Sequence, residues 1–257
     1  MYDWPEARAE VDARWAAMRD RLRAEGIDAP DALCRRNGDM PAVPGGIRDA
    51  SGAVVAADPA TLPPDAFDLP TLWRHPKLLV AQTCWGPMNE TGLRDLVRVV
   101  AQPDYSDVAG GDGVSYSSAV LMRADDPGVP DSDVAPPPDG AAVLPLDVMR
   151  GGRLAFNEAH SMSGWLALAA DLRHAGDDVA MFGALVATGG HRASMQAVAQ
   201  GKADLCAVDC RSLALARRFE ADAGRLRVVG WTARRLGLPL VCARGLAHLA
   251  PAMGKAV

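Results

Sequence analysis

Three stretches in the second half of the chain set small and polar residues where an apolar run gives way to a helical pattern. They are Asn157-Glu158-Ala159-His160-Ser161-Met162-Ser163-Gly164, Thr188-Gly189-Gly190-His191-Arg192 and Val208-Asp209-Cys210-Arg211-Ser212. The chemistry they offer is anion binding. With Ser161 as N-cap, the amides of Met162, Ser163 and Gly164 lack intrahelical partners and point outward. Gly164 lets an anion approach without a Cβ clash, and the Ser161 and Ser163 hydroxyls add donors. His191, at the start of the next helix, can donate to an oxyanion, and a bound anion would favour its charged form. Asp209 would repel a fully ionised phosphate, so a functional Asp209 has to accept a ligand proton or pair with a ligand ammonium. Each feature also has a plain structural reading: a Ser-capped helix, a surface histidine at a helix start, a capping aspartate.

Catalytic motifs are missing around these turns. There is no Gly-x-Ser-x-Gly elbow, no Gly-Lys-Ser/Thr phosphate loop and no His-Glu-x-x-His. Gly110-Gly111-Asp112-Gly113 precedes a strand instead of joining a strand to a helix, so it is not a dinucleotide fingerprint. No cofactor or metal is called for. Cys34, Cys84, Cys206, Cys210 and Cys242 are odd in number and include no Cys-x-x-Cys pair, which reads as buried structural thiols. Cys210, beside Asp209, is also placed as a pocket-side thiol.

The elements that must hold the three turns alternate regularly. Strands are expected at 153–156, 184–187 and 205–208, with helices at 163–174, 192–200 and 212–219 and further strands at 226–231 and 239–243. Strand–helix alternation implies a mostly parallel sheet covered on both faces, whose strand ends share one edge. The first half reads differently. A helix is expected over 5–26, a Gly/Pro-rich surface loop over 37–70, strands at 78–83, 97–101 and 116–123, and a second loop over 125–140. The 257 residues, 49% of them hydrophobic, suffice for one large domain or two lobes. A net charge of -5, from Lys+Arg 27 against Asp+Glu 32, with only three Tyr and four Phe, argues against a nucleic-acid surface. No apolar run approaches the ~18 residues of a membrane span.

In combination, several motifs resemble one family. They are Met1-Tyr2-Asp3-x-Pro5-Glu6, Leu72-Trp73-Arg74-His75-Pro76 with Gln82-Thr83-Cys84, Tyr116-x-Ser118, Asn157-Glu158-x-x-Ser161-x-Ser163-Gly164, and Thr188-Gly189-Gly190-His191-Arg192 running on to Asp209-Cys210. This order is similar to that of the phosphate/phosphite/phosphonate substrate-binding proteins of ABC importers, the PhnD-like group, over nearly the whole chain except 37–70.

The resemblance implies a type II periplasmic-binding-protein fold, two α/β lobes joined by a two-strand hinge. The crossings would fall near 120–122 and 229–232, dividing the chain into 1–122 plus 230–257 and an inserted lobe, 123–229. It also implies ligand contacts from Tyr2, Tyr116, Ser161, the amide of Met162, Ser163, His191 and Asp209, with Trp85 as a pocket wall. The partners implied are a small phosphorus oxyanion and ABC permease and ATPase subunits, the membrane being met only through the transporter. Family members usually carry a short strand, often after an export signal, ahead of the segment with which this chain begins. A missing upstream segment implies a periplasmic protein, whereas a true start at Met1 implies a cytoplasmic relative. The expected function is capture of the oxyanion for import. An enzyme or cytoplasmic sensor on the same scaffold, acting on or binding a phosphorylated metabolite, is the alternative.

Overall fold

The computed structural model describes residues 1–256. The chain forms two compact units: Met1, Asp3–Pro103 and the segment from Leu238 onward make one, and Tyr2 with Asp104–Gly237 the other.

The second unit is built on a five-stranded sheet, in the order Leu226–Trp231, Ser118–Arg123, Leu205–Asp209, Arg153–Phe156, Ala184–Ala187. Ser118–Arg123 is antiparallel to both its neighbours, while Arg153–Phe156 is parallel to both of its own. Four of the five strands therefore run in one direction, the mostly parallel arrangement that the alternating pattern predicts. All five residues of Leu205–Asp209 are buried, as expected of a central strand covered on both faces. Leu168 and Leu172 from the covering helix join Val120, Leu154, Leu205 and Met149 in the core. Both expected lobe crossings, 120–122 and 229–232, fall within this unit.

Several boundaries move, each for a local reason. The helix expected over 163–174 opens as a π-helical turn, Met162–Leu166, before continuing as an α-helix, Ala167–His174. The Leu166 amide reaches the Ser161 carbonyl at 2.9 Å, one residue further back than an α-turn allows. The next two helices run His191–Ala199 and Cys210–Phe219. The expected 116–123 strand breaks at Ser117 into Ser115–Tyr116 and Ser118–Arg123. Its first part belongs to a small sheet with Gly111–Asp112 and Arg235–Leu236. Residues 125–140 hold no helix or strand, as expected, and are tied down by the Val134 amide on the Val228 carbonyl.

In the first unit, Leu240–Ala243 lies between Ala81–Gln82 and Val97–Ala101, antiparallel to both. The strand expected over 78–83 shrinks to those two residues. Pro5–Ala7 and Arg8–Ala24 form the N-terminal helix, which buries Trp15 and Leu22 against Cys242 and Met253 and ends before Gly26 at φ 76°. The 37–70 stretch is more structured than a surface loop. It contains an antiparallel hairpin, Ile47–Arg48 with Val54–Ala56, and 3-10 turns at Asn37–Asp39 and Pro59–Thr61. The buried Asn37 ties it together by donating to the Pro63 carbonyl and accepting from the Asp68 amide. Short helices at Leu69–Arg74, Trp85–Glu90 and Leu146–Met149 have no counterpart in the sequence reading. Among the described residues, no helix is long and apolar enough to cross a membrane.

Candidate anion-binding site

The three turns do meet. Their strands are adjacent, and the Gly189 amide donates to the Asn157 carbonyl at 3.0 Å, fastening the second turn to the first. Ser161 is the N-cap, and its hydroxyl accepts the Gly164 amide at 3.1 Å. That corrects one expectation, since the Gly164 amide is used within the cap. Ser163 turns inward, is buried, and lies 2.8 Å from His191 Nε2. The Asp209 carboxylate approaches the same nitrogen at 3.4 Å.

Asp209 is nearly inaccessible at 1% exposure, and both its oxygens are engaged. One accepts the Ser212 amide at 2.8 Å and the other the Ser212 hydroxyl at 2.7 Å. It is thus the N-cap of Cys210–Phe219 and at the same time the anionic neighbour of His191. Burial pushes the His191 pKa below its ordinary value, with Asp209 and then Glu158 pulling the other way. A neutral imidazole that donates from Nε2 to Ser163 leaves the serine hydroxyl proton free to point at a ligand. His191 then acts on an oxyanion through Ser163. The same geometry differs from a nucleophile relay, which needs serine on one ring nitrogen and carboxylate on the other. Here both sit at Nε2, and among the described residues the buried Nδ1 has no hydrogen-bond partner.

Asn157 Oδ1 and Ser118 Oγ are likewise buried and unpartnered among the described residues. Such groups cost stability unless something satisfies them, and a polar ligand would. Gly164 belongs to this cluster by steric necessity. A Cβ on it would stand 2.0 Å from Asn157 Oδ1 and 3.1 Å from His191 Cε1.

Tyr2 and Tyr116 sit in the same unit, joined by Tyr105, which the sequence reading missed. The Tyr2 and Tyr105 hydroxyls are 3.3 Å apart, and the Tyr105 and Tyr116 rings stack with centroids 5.5 Å apart. Burial first, then the Asp209 charge, raise the Tyr2 phenol well above its ordinary pKa, so it remains a hydroxyl donor. Arg211 lies over Tyr105 at 5.1 Å and over Tyr2 at 6.0 Å, and Asp107 holds it at 2.6 and 3.0 Å. Arg211 is the second residue overlooked. Cys210 is 1% exposed, and burial pushes its thiol pKa up, so no reactive thiol faces the cluster. Trp85 belongs to the first unit, at the start of Trp85–Glu90, packed on the Trp73 and Met88 core with Arg94 over its ring at 5.7 Å.

Adjacent strand ends of this α/β sheet thus bring Ser161, Ser163, His191 and Asp209 together, with Tyr2, Tyr105 and Tyr116 clustered in the same unit. Residues 87–256 match the ABC transporter, phosphonate, periplasmic substrate-binding protein family, and the chain belongs to that family. Tyr2 and Trp85 lie ahead of the matched residues. Among solved structures, PhnD1 from Prochlorococcus marinus in complex with methylphosphonate is similar at 14% identity and a TM-score of 0.59, covering 97% of this chain and 79% of that one. The binding-protein component of an ABC phosphonate transporter from Pseudomonas aeruginosa is similar at 14% identity and a TM-score of 0.55, covering 91% of this chain and 64% of that one. A Xanthomonas citri protein bound to ATP gives 14% identity and a TM-score of 0.53, covering 95% and 79%. No curated protein matches. These likenesses give the chain the two-lobe α/β fold of type II periplasmic binding proteins.

Proposed function

We propose that the protein captures a phosphorus oxyanion, a phosphonate, phosphite or phosphate, and delivers it to the permease and ATPase of an ABC importer in the periplasm. The observation that carries this reading is the convergence of Ser161, Ser163 and His191 at the start of the Met162–Leu166 turn, beside unpartnered buried Asn157 Oδ1. Ser161, Ser163, the Met162 amide and the Tyr2 and Tyr116 hydroxyls donate to the phosphoryl oxygens, and the helix N-terminus favours their charge. His191 holds Ser163 as a donor. Asp209 orients His191 and stands ready for a ligand ammonium, and Trp85 forms a wall.

Two lobes, 1–122 plus 230–257 and 123–229, are part of the proposal. Closure is a hinge motion driven by the higher affinity of the closed state. Thermal melts with phosphate, phosphite, methylphosphonate and 2-aminoethylphosphonate test ligand capture: at least one should raise the melting temperature in a saturable way. The absence of any shift with all four would overturn the reading. X-ray scattering tests closure, which requires a smaller radius of gyration with the stabilising ligand than without it.

A further inference from the structure

The first unit contains a recess of about 260 Å³ that is separate from the turns described above. Its polar lining is Arg48, Arg74, Arg244 and Asp95, and Val43, Ile47, Pro76, Leu96 and Ala243 supply apolar wall. Arg48 comes from the 37–70 stretch, which lies outside both the motif resemblance and the family match over 87–256. That stretch is anchored: the Val43 amide donates to Asp58 at 2.9 Å, and the buried His75 reaches the Pro41 carbonyl at 3.0 Å.

The three guanidiniums differ from most others in the chain. Arg35 holds Asp3 and Asp12, Arg153 holds Asp204, and Arg235 holds Asp171. Around the recess, among the described residues, none of the three arginines has a carboxylate within ion-pair distance. Arg48 donates to the carbonyls of Gly52 and Gly45, Arg244 to that of Asp95, and Arg74 to those of Pro70 and Thr91 and to the Thr91 hydroxyl. These acceptors orient the groups without neutralising them. With Asp95 counted, the lining carries a net charge of +2 in a chain whose net charge is -5. Burial pulls the Arg74 pKa down, with the Asp68 charge pulling the other way, and an anion in the recess would offset the remaining cost.

From this we infer that the recess is a second anion site, walled in part by the 37–70 stretch and taking a dianionic phosphomonoester. The arginine forks bind the phosphoryl oxygens and the apolar wall takes the organic group. This inference does not depend on the proposed function of the Ser163 site, and the experiment separates the two.

Phenyl phosphate is titrated calorimetrically into the full chain with methylphosphonate at saturation, and into Ser163→Asp. Both should show one site for phenyl phosphate. Adding Arg48→Gln and Arg244→Gln to Ser163→Asp should weaken it by about tenfold or more, with the melting temperature reporting that the fold is kept. Phenyl sulfate, a monoanion of the same shape, should bind more weakly than phenyl phosphate. No binding in either background, undiminished binding after the two arginine substitutions, or equal affinity for the sulfate would each overturn the proposal. Failure of methylphosphonate to bind the native chain would instead count against the Ser163 site, while phenyl phosphate binding to Ser163→Asp still decides the recess.

Discussion

Asp209 and Ser212 are joined twice, by the serine amide at 2.8 Å and the serine hydroxyl at 2.7 Å. A carboxylate fixed in this way orients His191, and a ligand ammonium has to come to it. Asp209→Ala should therefore destabilise the protein by about 0.5–2 kcal/mol for the lost cap, measured by urea unfolding. Asp209→Asn, which keeps a capping oxygen, should cost less and lower the His191 pKa further, because a group that raises it is gone. An unchanged His191 titration by NMR in that variant would dissociate the two residues. A larger loss of affinity for 2-aminoethylphosphonate than for phosphite on going from the native chain to Asp209→Asn would mark an ammonium contact, and equal small losses would leave the aspartate as a cap alone.

Ser163→Asp places a carboxylate where the oxyanion is proposed to sit. In the native chain, a ligand at 100 times its dissociation constant adds about 2.7 kcal/mol of stability. The variant should show no ligand-induced shift in melting temperature, and a shift of native size would remove the assignment of the site.

Burial lowers the His191 pKa, and this fixes the sign of a pH effect. Between the folded value and the unfolded value of about 6.5, the unfolded chain binds more protons. The neutral buried imidazole's share of stability is therefore complete above the unfolded value and is lost as pH falls from there through the folded one. The native protein should lose more melting temperature than His191→Gln between neutral pH and about pH 5. Oxyanion binding should raise the His191 pKa and take up a proton. Calorimetric enthalpies would then depend on the ionisation enthalpy of the buffer, and buffer-independent enthalpies would refute proton uptake.

Gly164→Ala forces a methyl group to within 2.0 Å of Asn157 Oδ1. We expect a loss of about 1–3 kcal/mol from overpacking, with part of it recovered in the double variant Gly164→Ala/Asn157→Ala. Additive losses in the double-variant cycle would mean that the two residues do not share the contact.

Much of the second unit was legible because strand and helix periods alternate without interruption from Arg153 to Phe219. The strands Arg153–Phe156 and Ala184–Ala187 fall where the pattern puts them. The π-turn was not legible, because Met162–Leu166 has the same composition as an ordinary first turn and its widening depends on where Ser163 and Gly164 pack. Tyr105 and Arg211 were missed for a related reason: they are far apart in sequence and meet only in space. A signal for Tyr105 did exist. The Gly110–Gly113 run is the seat of its backbone, where a Cβ on Gly111 would stand 1.9 Å from the Tyr105 carbonyl oxygen. The 37–70 stretch looked featureless because its order comes from Asn37, Asp58 and His75 contacts instead of from apolar periodicity.

Tyr2, Tyr105 and Tyr116 are the only tyrosines in the chain, and all three lie in one cluster beside the turns. A label placed by residue type thus becomes a label placed by location. Fluorotyrosine incorporated throughout the protein would give three fluorine resonances with no background from elsewhere in the fold. Their chemical shifts would follow occupancy of the cluster directly in a mixed sample, and Arg211→Lys would identify the two rings over which its guanidinium lies.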